Sequence, residues 1–366
     1  VVCVASKPAD GVAVARQTHE FAAFAQPPPF TLEEVRRAIP AHCWEKNAAR
    51  SVGYLIRDVL SVAALAAIAA TVNDPAMWAA YALLQGTLFW GLFVVGHDAG
   101  HGSFSNNKLL NEVMGHLAHA SILVPFHGWR ISHRDHHANH GHVENDESWY
   151  PYAKSDYDSM KLSHRLFRFE LPFALFGYPI YLFKRTPMKT GSHFLPSSPL
   201  FRPSEARSVL TSTGSLIAML GVLGAITAKI GLAAIAKLYV APLVVFWVWL
   251  AVVTYLHHTD PSCPFYRDGD WSYLRGGLST TDRDYGVVLN ELTHSIGTHV
   301  VHHLFPQIPH YHLEEANAAI RPVLGKYYRE PQRSGLLPLH LVSDLFRSFR
   351  ECRFVKDQGS VVFYEK

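Results

Sequence analysis

The sequence predicts an all-α integral membrane protein: four transmembrane helices in two hairpins, with a histidine-rich helical cap on the side of both termini. Three observations predict it. Four long stretches are almost free of charge. Basic residues concentrate in the segments on one side of those stretches. Three histidine clusters fall in the same segments.

The stretches come first. "MWAAYALLQGTLFWGLFVVG" (Met77 to Gly96), "SVLTSTGSLIAMLGVLGAITA" (Ser208 to Ala228) and "LYVAPLVVFWVWLAVVTYL" (Leu238 to Leu256) carry no charged side chain. Each is long enough to cross a hydrocarbon core, which takes about 20 residues. A fourth span is expected from about Ser51 to Val72, with Arg57 and Asp58 near one end, where they snorkel or pair. Asn73, Asp74 and Pro75 make a tight turn inside the first hairpin, and a short stretch holding only Lys229 and Lys237 joins the second. The runs His116–Phe126 and Glu170–Phe183 are too short to span and read as interfacial or re-entrant segments. Lysine and arginine lie before Ser51, in the 97–207 connection and after residue 257, which places both termini and the long loop on one face. The expected division is therefore 1–50, a soluble N-terminal segment, and 51–366, the membrane domain with a cap from 97–207 and 257–366. In the N-terminal segment, Thr31 and Glu34 form a capping box opening a helix that Pro40 ends. The chain starts at Val1 without methionine, so a targeting segment is expected to be absent already.

The histidines carry the chemistry. "GTHVVHHLFPQIPHYHL" contains His299, His302 and His303 at i, i+3 and i+4, one face of a helix. "HRDHH" repeats the spacing with His133, His136 and His137, and "HDAGH" gives His97 and His101 at i, i+4. Zinc sites usually take four ligands, so eight imidazoles read as two metal ions sharing a ligand shell. Imidazole suits iron, copper, nickel and zinc, so the ligands alone leave the metal open. Glu291 and His294 make one Glu-x-x-His pair, too few for a ferritin-like carboxylate site. Cys3, Cys43, Cys263 and Cys352 are scattered without a C-x-x-C, which supports neither a disulfide framework nor an iron–sulfur cluster. No G-x-G-x-x-G marks a dinucleotide site, so electrons for redox chemistry come from a separate protein.

As a set, the three boxes resemble those of the membrane-bound fatty acid desaturase family, over nearly the whole chain from about Phe30. The flanks "HDAGHGSFS", "HANHGHVENDESWYPY", "TDRDYG" and "PVLGKYYREP" are similar to plant and algal omega-3 desaturases. The resemblance implies a di-iron centre of two iron ions, O2 as co-substrate, and insertion of a cis double bond near the methyl end of a dienoic acyl chain, linoleoyl to alpha-linolenoyl. It implies an acyl lipid substrate in a membrane and no nucleic acid. Ferredoxin is the donor in a chloroplast membrane, the favoured compartment, and cytochrome b5 in the endoplasmic reticulum. It also implies a further ligand at the end of the fourth span, matching His258, with His257 beside it, and makes His294 another candidate. His116, His119, His127, His140, His142, His310 and His312 are candidates for supporting hydrogen bonds, and Asp98, Asp135, Asp146 and Asp284 for carboxylate partners of ligand N–H groups. Ala99, Asp135 and Thr293 depart from the omega-3 pattern, Thr293 standing where a histidine often precedes His294. A hydroxylase or an omega-6 desaturase on the same scaffold remains the alternative. A metal transporter is disfavoured, because transporters place ionisable groups near the bilayer midplane and these spans do not.

Overall fold

A computed structural model describes residue 24 and residues 26–366 except 73, 170, 187, 334 and 336. Cys3, with the rest of residues 1–23 and residue 25, lies outside the described residues. Helix α1 (Leu32–Ala38) opens as the sequence predicts: Thr31 accepts from the Glu34 amide, and Glu34 reaches back to the Thr31 amide. Such a cap contributes about 1 kcal/mol. After a 3₁₀ turn (Ala41–Trp44) come α2 (Ala48–Ala69) and α3 (Pro75–His101). Asp74 caps α3 by accepting from the Ala76 and Met77 amides, with Pro75 at the first helical position.

Next follow α4 (Lys108–Ala120), α5 (Phe126–Asn139), α6 (Lys154–Ser159), α7 (Leu162–Phe169), α8 (Leu171–Lys184), α9 (Ala206–Ile230) and α10 (Leu232–His258). The remainder holds α11 (Tyr273–Gly277), α12 (Val287–Leu292), α13 (His299–Leu304), α14 (His310–Leu324) and α15 (His340–Glu351). A two-stranded antiparallel pair, β1 (Phe265–Tyr266) with β2 (Val361–Val362), ties the C-terminal segment back to the cap.

Four helical stretches among the described residues are long and apolar enough to cross a membrane: Ala48–Ala69, Pro75–His101, Pro203–Ile230 and Leu232–His258. Two boundaries differ from the expectation. The segment 229–237 that joins the second pair is itself largely helical: the helix breaks at Gly231, whose φ of 86° suits glycine, and resumes through one π turn at Ala236–Val240. The 116–126 run is not one segment, because Ser121–Pro125 separates α4 from α5.

Helix α3 is the central rod, packed against α2, α4, α5 and α10. Polar cross-links fix it: Gln85 donates to the Val62 carbonyl, Trp249 to the Thr87 hydroxyl, and Tyr81 to the Leu238 carbonyl. Backbone contact is close at Gly86, where a Cβ would lie 2.5 Å from Val245. By contrast α2 and α9 expose Leu60, Ile68, Ile217 and Leu220, as lipid-facing helices do. A second core joins α1 and the 3₁₀ turn to α13 and α14 through Val35, Cys43, Val301, Leu304, Leu313 and Ile320. Residues 32–44 thus share the cap's core.

Candidate metal centre

The three boxes meet where α3, α5 and α13 end against one another. Helix α3 runs past the expected end of its span, so His97 and His101 sit on its last two turns, one above the other. His97, His101, His133, His137 and His302 form one group, each offering a ring nitrogen within 4.8 Å of the others. Two overlapping triplets make a second group: His136, His140 and His303, and His258, His299 and His303. The His137 and His303 rings stack at 4.1 Å between centroids, so the groups abut.

Helical spacing explains the partition. In the second box the i, i+4 pair His133/His137 faces the first group, and His136 turns to the second. The third box is reversed: His299/His303 face the second group, and His302 crosses to the first. Each H-x-x-H-H box therefore serves both groups.

Inside the groups, nitrogens converge. His97 Nε2 lies 3.1 Å from His302 Nε2, which lies 3.2 Å from His137 Nε2. His258 Nε2 and His299 Nε2 are 3.1 Å apart, and His299 Nε2 and His303 Nε2 are 3.2 Å apart. Ligands bonded at 2.0–2.1 Å to one ion stand about 3 Å apart, so the spacing fits a shared metal. Moreover, His101, His136 and His140 each bury an Nε2 that has no partner. An unsatisfied buried polar atom costs about 1–3 kcal/mol, a cost that a bound cation offsets. Burial, reinforced by neighbouring imidazoles, pushes the pKa values of His133, His137, His299, His302 and His303 well below the ordinary range. The rings are neutral at pH 7, the state that binds metal.

Two aspartates orient the rings. Asp98 accepts from His97 Nδ1 at 3.2 Å and from His310 Nδ1 at 3.0 Å. Asp146 accepts from His136 Nδ1 at 2.8 Å and His140 Nδ1 at 3.0 Å, and from the Ser148 and Trp149 amides. Burial alone would raise the Asp146 pKa, but the two imidazoles hold it well below the usual carboxylate range. Each bond fixes a tautomer, leaving Nε2 free for a metal.

The other candidates separate cleanly. His258 enters the second group from the end of α10. His257 is spoken for: Nδ1 donates to the Thr281 carbonyl, and Nε2 meets the Tyr285 hydroxyl at 2.9 Å. His294 is not brought to either group; its Nε2 lies 2.6 Å from Asp58, which Arg57 also holds while pairing with Glu291. His142 turns outward to Asp268, and His119 bonds the Phe93 carbonyl. His312 lies beside His42, and His116 and His127 lie together elsewhere. Asp135 pairs with Arg134, and Asp284 accepts from Gly286 and Asn290.

Two features escaped the sequence reading. His140 belongs to the second imidazole group, not only to its support; its place three residues after His137 was the available signal. Asp282 accepts from the Val300 amide at 2.7 Å and from Tyr328 and Asn317. It thereby caps α13, whose N-cap Thr298 makes no side-chain cap. Nothing in "TDRDYG" distinguished Asp282 from Asp284.

Apolar membrane-length helices ending in a buried, neutral polyimidazole cluster define a class: membrane proteins with a polyhistidine site able to hold transition-metal ions. Comparison with known proteins narrows it. The family model described as "Fatty acid desaturase" matches residues 76–334, and one described as a domain of unknown function matches 5–67. The chain belongs to the fatty acid desaturase family. It is 56% identical to a Glycine max protein named "Omega-3 fatty acid desaturase, chloroplastic", over 93% of this chain and 75% of that one. Identity is also 56% to an Arabidopsis thaliana "Temperature-sensitive sn-2 acyl-lipid omega-3 desaturase (ferredoxin), chloroplastic", over 93% and 78%. A Nicotiana tabacum "Omega-3 fatty acid desaturase, endoplasmic reticulum" is 53% identical, over 93% and 90%.

Proposed function

We propose that this chain is a chloroplast-membrane omega-3 desaturase that converts dienoic acyl groups of membrane lipids, linoleoyl first, into trienoic ones. The observation that carries the reading is the convergence of the three boxes, with His258 and His140, on two adjoining imidazole groups. The ligands are His97, His101, His133, His137 and His302 for one iron and His136, His140, His258, His299 and His303 for the other. Two bound irons would supply the activation of O2. The balance is one CH2–CH2 unit, O2, two electrons and two protons giving one cis double bond and two waters. The electrons come from ferredoxin, the donor for which relatives such as the Arabidopsis protein are named.

The chain's own part is to hold and shield. Asp98 and Asp146 lock the tautomers of His97, His136 and His140. Burial of the rings keeps bulk water from the reacting centre. An acyl chain held in one near-attack geometry accounts for removal of two unactivated hydrogens. The helices form two hairpins, with both termini, 97–207 and 257–366 on one face. Cysteine labelling of Asp74→Cys from the side of the C-terminus would contradict that placement.

Fatty-acid profiling of a host expressing the chain, fed in turn linoleate and a sixteen-carbon diene, tests the function. The expected product is a triene with the new bond three carbons from the methyl end. A hydroxylated acid, or a monoene from stearate, would overturn the reading.

A further inference from the structure

Outside the two groups described, α4 and α5 bring together a third set of donors. Glu112 and His116 lie one turn apart on α4, and His127 lies in the first turn of α5. One donor atom from each sits within 4.8 Å of the other two. His116 Nδ1–H donates to the Glu112 carbonyl at 2.8 Å. That bond fixes the tautomer and leaves a lone pair on Nε2, which is buried with no partner. The His116 and His127 rings stand 4.7 Å apart at 73°, edge to face. His127 is 4% exposed, places Nε2 2.7 Å from a Glu112 carboxylate oxygen, and buries an Nδ1 without a partner. Burial pushes the His127 pKa down to about 3, so the ring is neutral. The Glu112 carboxylate offsets the positive charge of Arg130 a turn further on.

We propose that Glu112, His116 and His127 form a third metal site, taking one divalent transition-metal ion of the zinc class. Two imidazoles and one carboxylate are a known ligand set for zinc, with the remaining position left to water. The same set suits ferrous iron with open positions. A hydrogen bond between His127 and Glu112 explains one contact, but it leaves the lone pair of His116 buried and unused. A cation engages all three groups. Its effect is mechanical: it staples α4 to the start of α5, six residues and about 9 Å of helix before His133. The proposal stands on its own residues and does not depend on which acyl lipid the other site takes.

The test uses the full-length chain, purified in detergent with its iron loaded, then equilibrated with micromolar zinc chloride and freed of excess. Elemental analysis is expected to find one zinc per chain beyond unchanged iron. Zinc should raise the melting temperature of the wild type. Glu112→Gln, which keeps the shape of the side chain, and His116→Gln should each lose that zinc and its thermal shift, with iron content and iron absorbance retained. Absorption-edge fine structure of the bound zinc should show two imidazoles with oxygen ligands. Zinc absent from the wild type, zinc retained equally by Glu112→Gln, or zinc bound only at the expense of iron would each overturn the proposal.

Discussion

The two imidazole groups differ in how they are assembled. The first takes two i, i+4 pairs, His97/His101 and His133/His137, from two helices that meet, and completes itself with His302. The second also holds two pairs at that spacing, His136/His140 and His299/His303, but His140 is the C-cap just beyond α5, and the fifth ring, His258, stands at the end of a membrane helix. The support differs too. Asp98, next to His97 in sequence, serves one ring of the first group and His310 outside it. Asp146 lies in a loop and serves two rings of the second group at once. A helix repeats its geometry every turn, so the first group follows from spacing. The second depends on where loops and helix ends fall. It is the group that substitutions outside the boxes should damage.

The largest effect is expected at the crossing residues. His302→Ala and His303→Ala should each abolish product formation while leaving membrane insertion intact, but iron spectroscopy should show different irons lost. Near-normal product from His302→Ala would remove that residue from the first group. Next comes His140→Ala, expected to lower iron content and turnover at least tenfold, as loss of a ligand or its direct partner does. His142→Ala, two residues on and bonded to exposed Asp268, is the control and should stay within twofold of wild type. Equal behaviour of the two would erase the distinction between the groups' construction. Asp146→Asn, which releases two ligands, should cost more iron than Asp98→Asn, which releases one; both lie within the 10–100-fold range of such partners.

A further expectation concerns pH. Burial lowers the pKa of His133, His137, His299, His302 and His303 in the folded chain below the unfolded value of about 6.5. The associated stability is full above that pH and is lost as pH falls toward the folded values. Metal-free protein should therefore melt at lower temperature at pH 5.5 than at pH 7.5, readable by calorimetry in detergent. The smallest effect on metal belongs to His294→Ala. Its ring faces Asp58, so iron content should not change; a lost iron would bring His294 into the ligand set.

How much of this the sequence carried follows from the same distinction. The four spans, the capping box of α1 and the eight box histidines have periodic or compositional signatures, and each appears where periodicity put it. His258 could be placed only through the family resemblance, because one histidine at the end of an apolar run is ambiguous. His140 carries a local signature in its spacing from His136 and His137, but its meeting with His303, like the contact of Asp282 with Val300, joins residues far apart in the chain. The sequence marks 229–237 only as a short connection, and that the helix breaks at Gly231 alone shows in the backbone. The β1–β2 pair is too short to show a strand period.

The unbroken run of α3 carries a consequence of its own. From Pro75 to His101 it is a single helix of 27 residues, about 40 Å long. It has no proline after its first position. Lipid depth and imidazole position are thus two ends of one stiff lever. A one-residue insertion near Leu84 would swing His97 and His101 by about 100° relative to the lipid-buried half. A bilayer a few ångströms thinner favours more tilt of the rod and a thicker one less, and no proline hinge in α3 stands between that tilt and the imidazoles. The thickness of the host membrane is therefore a setting of the catalytic geometry.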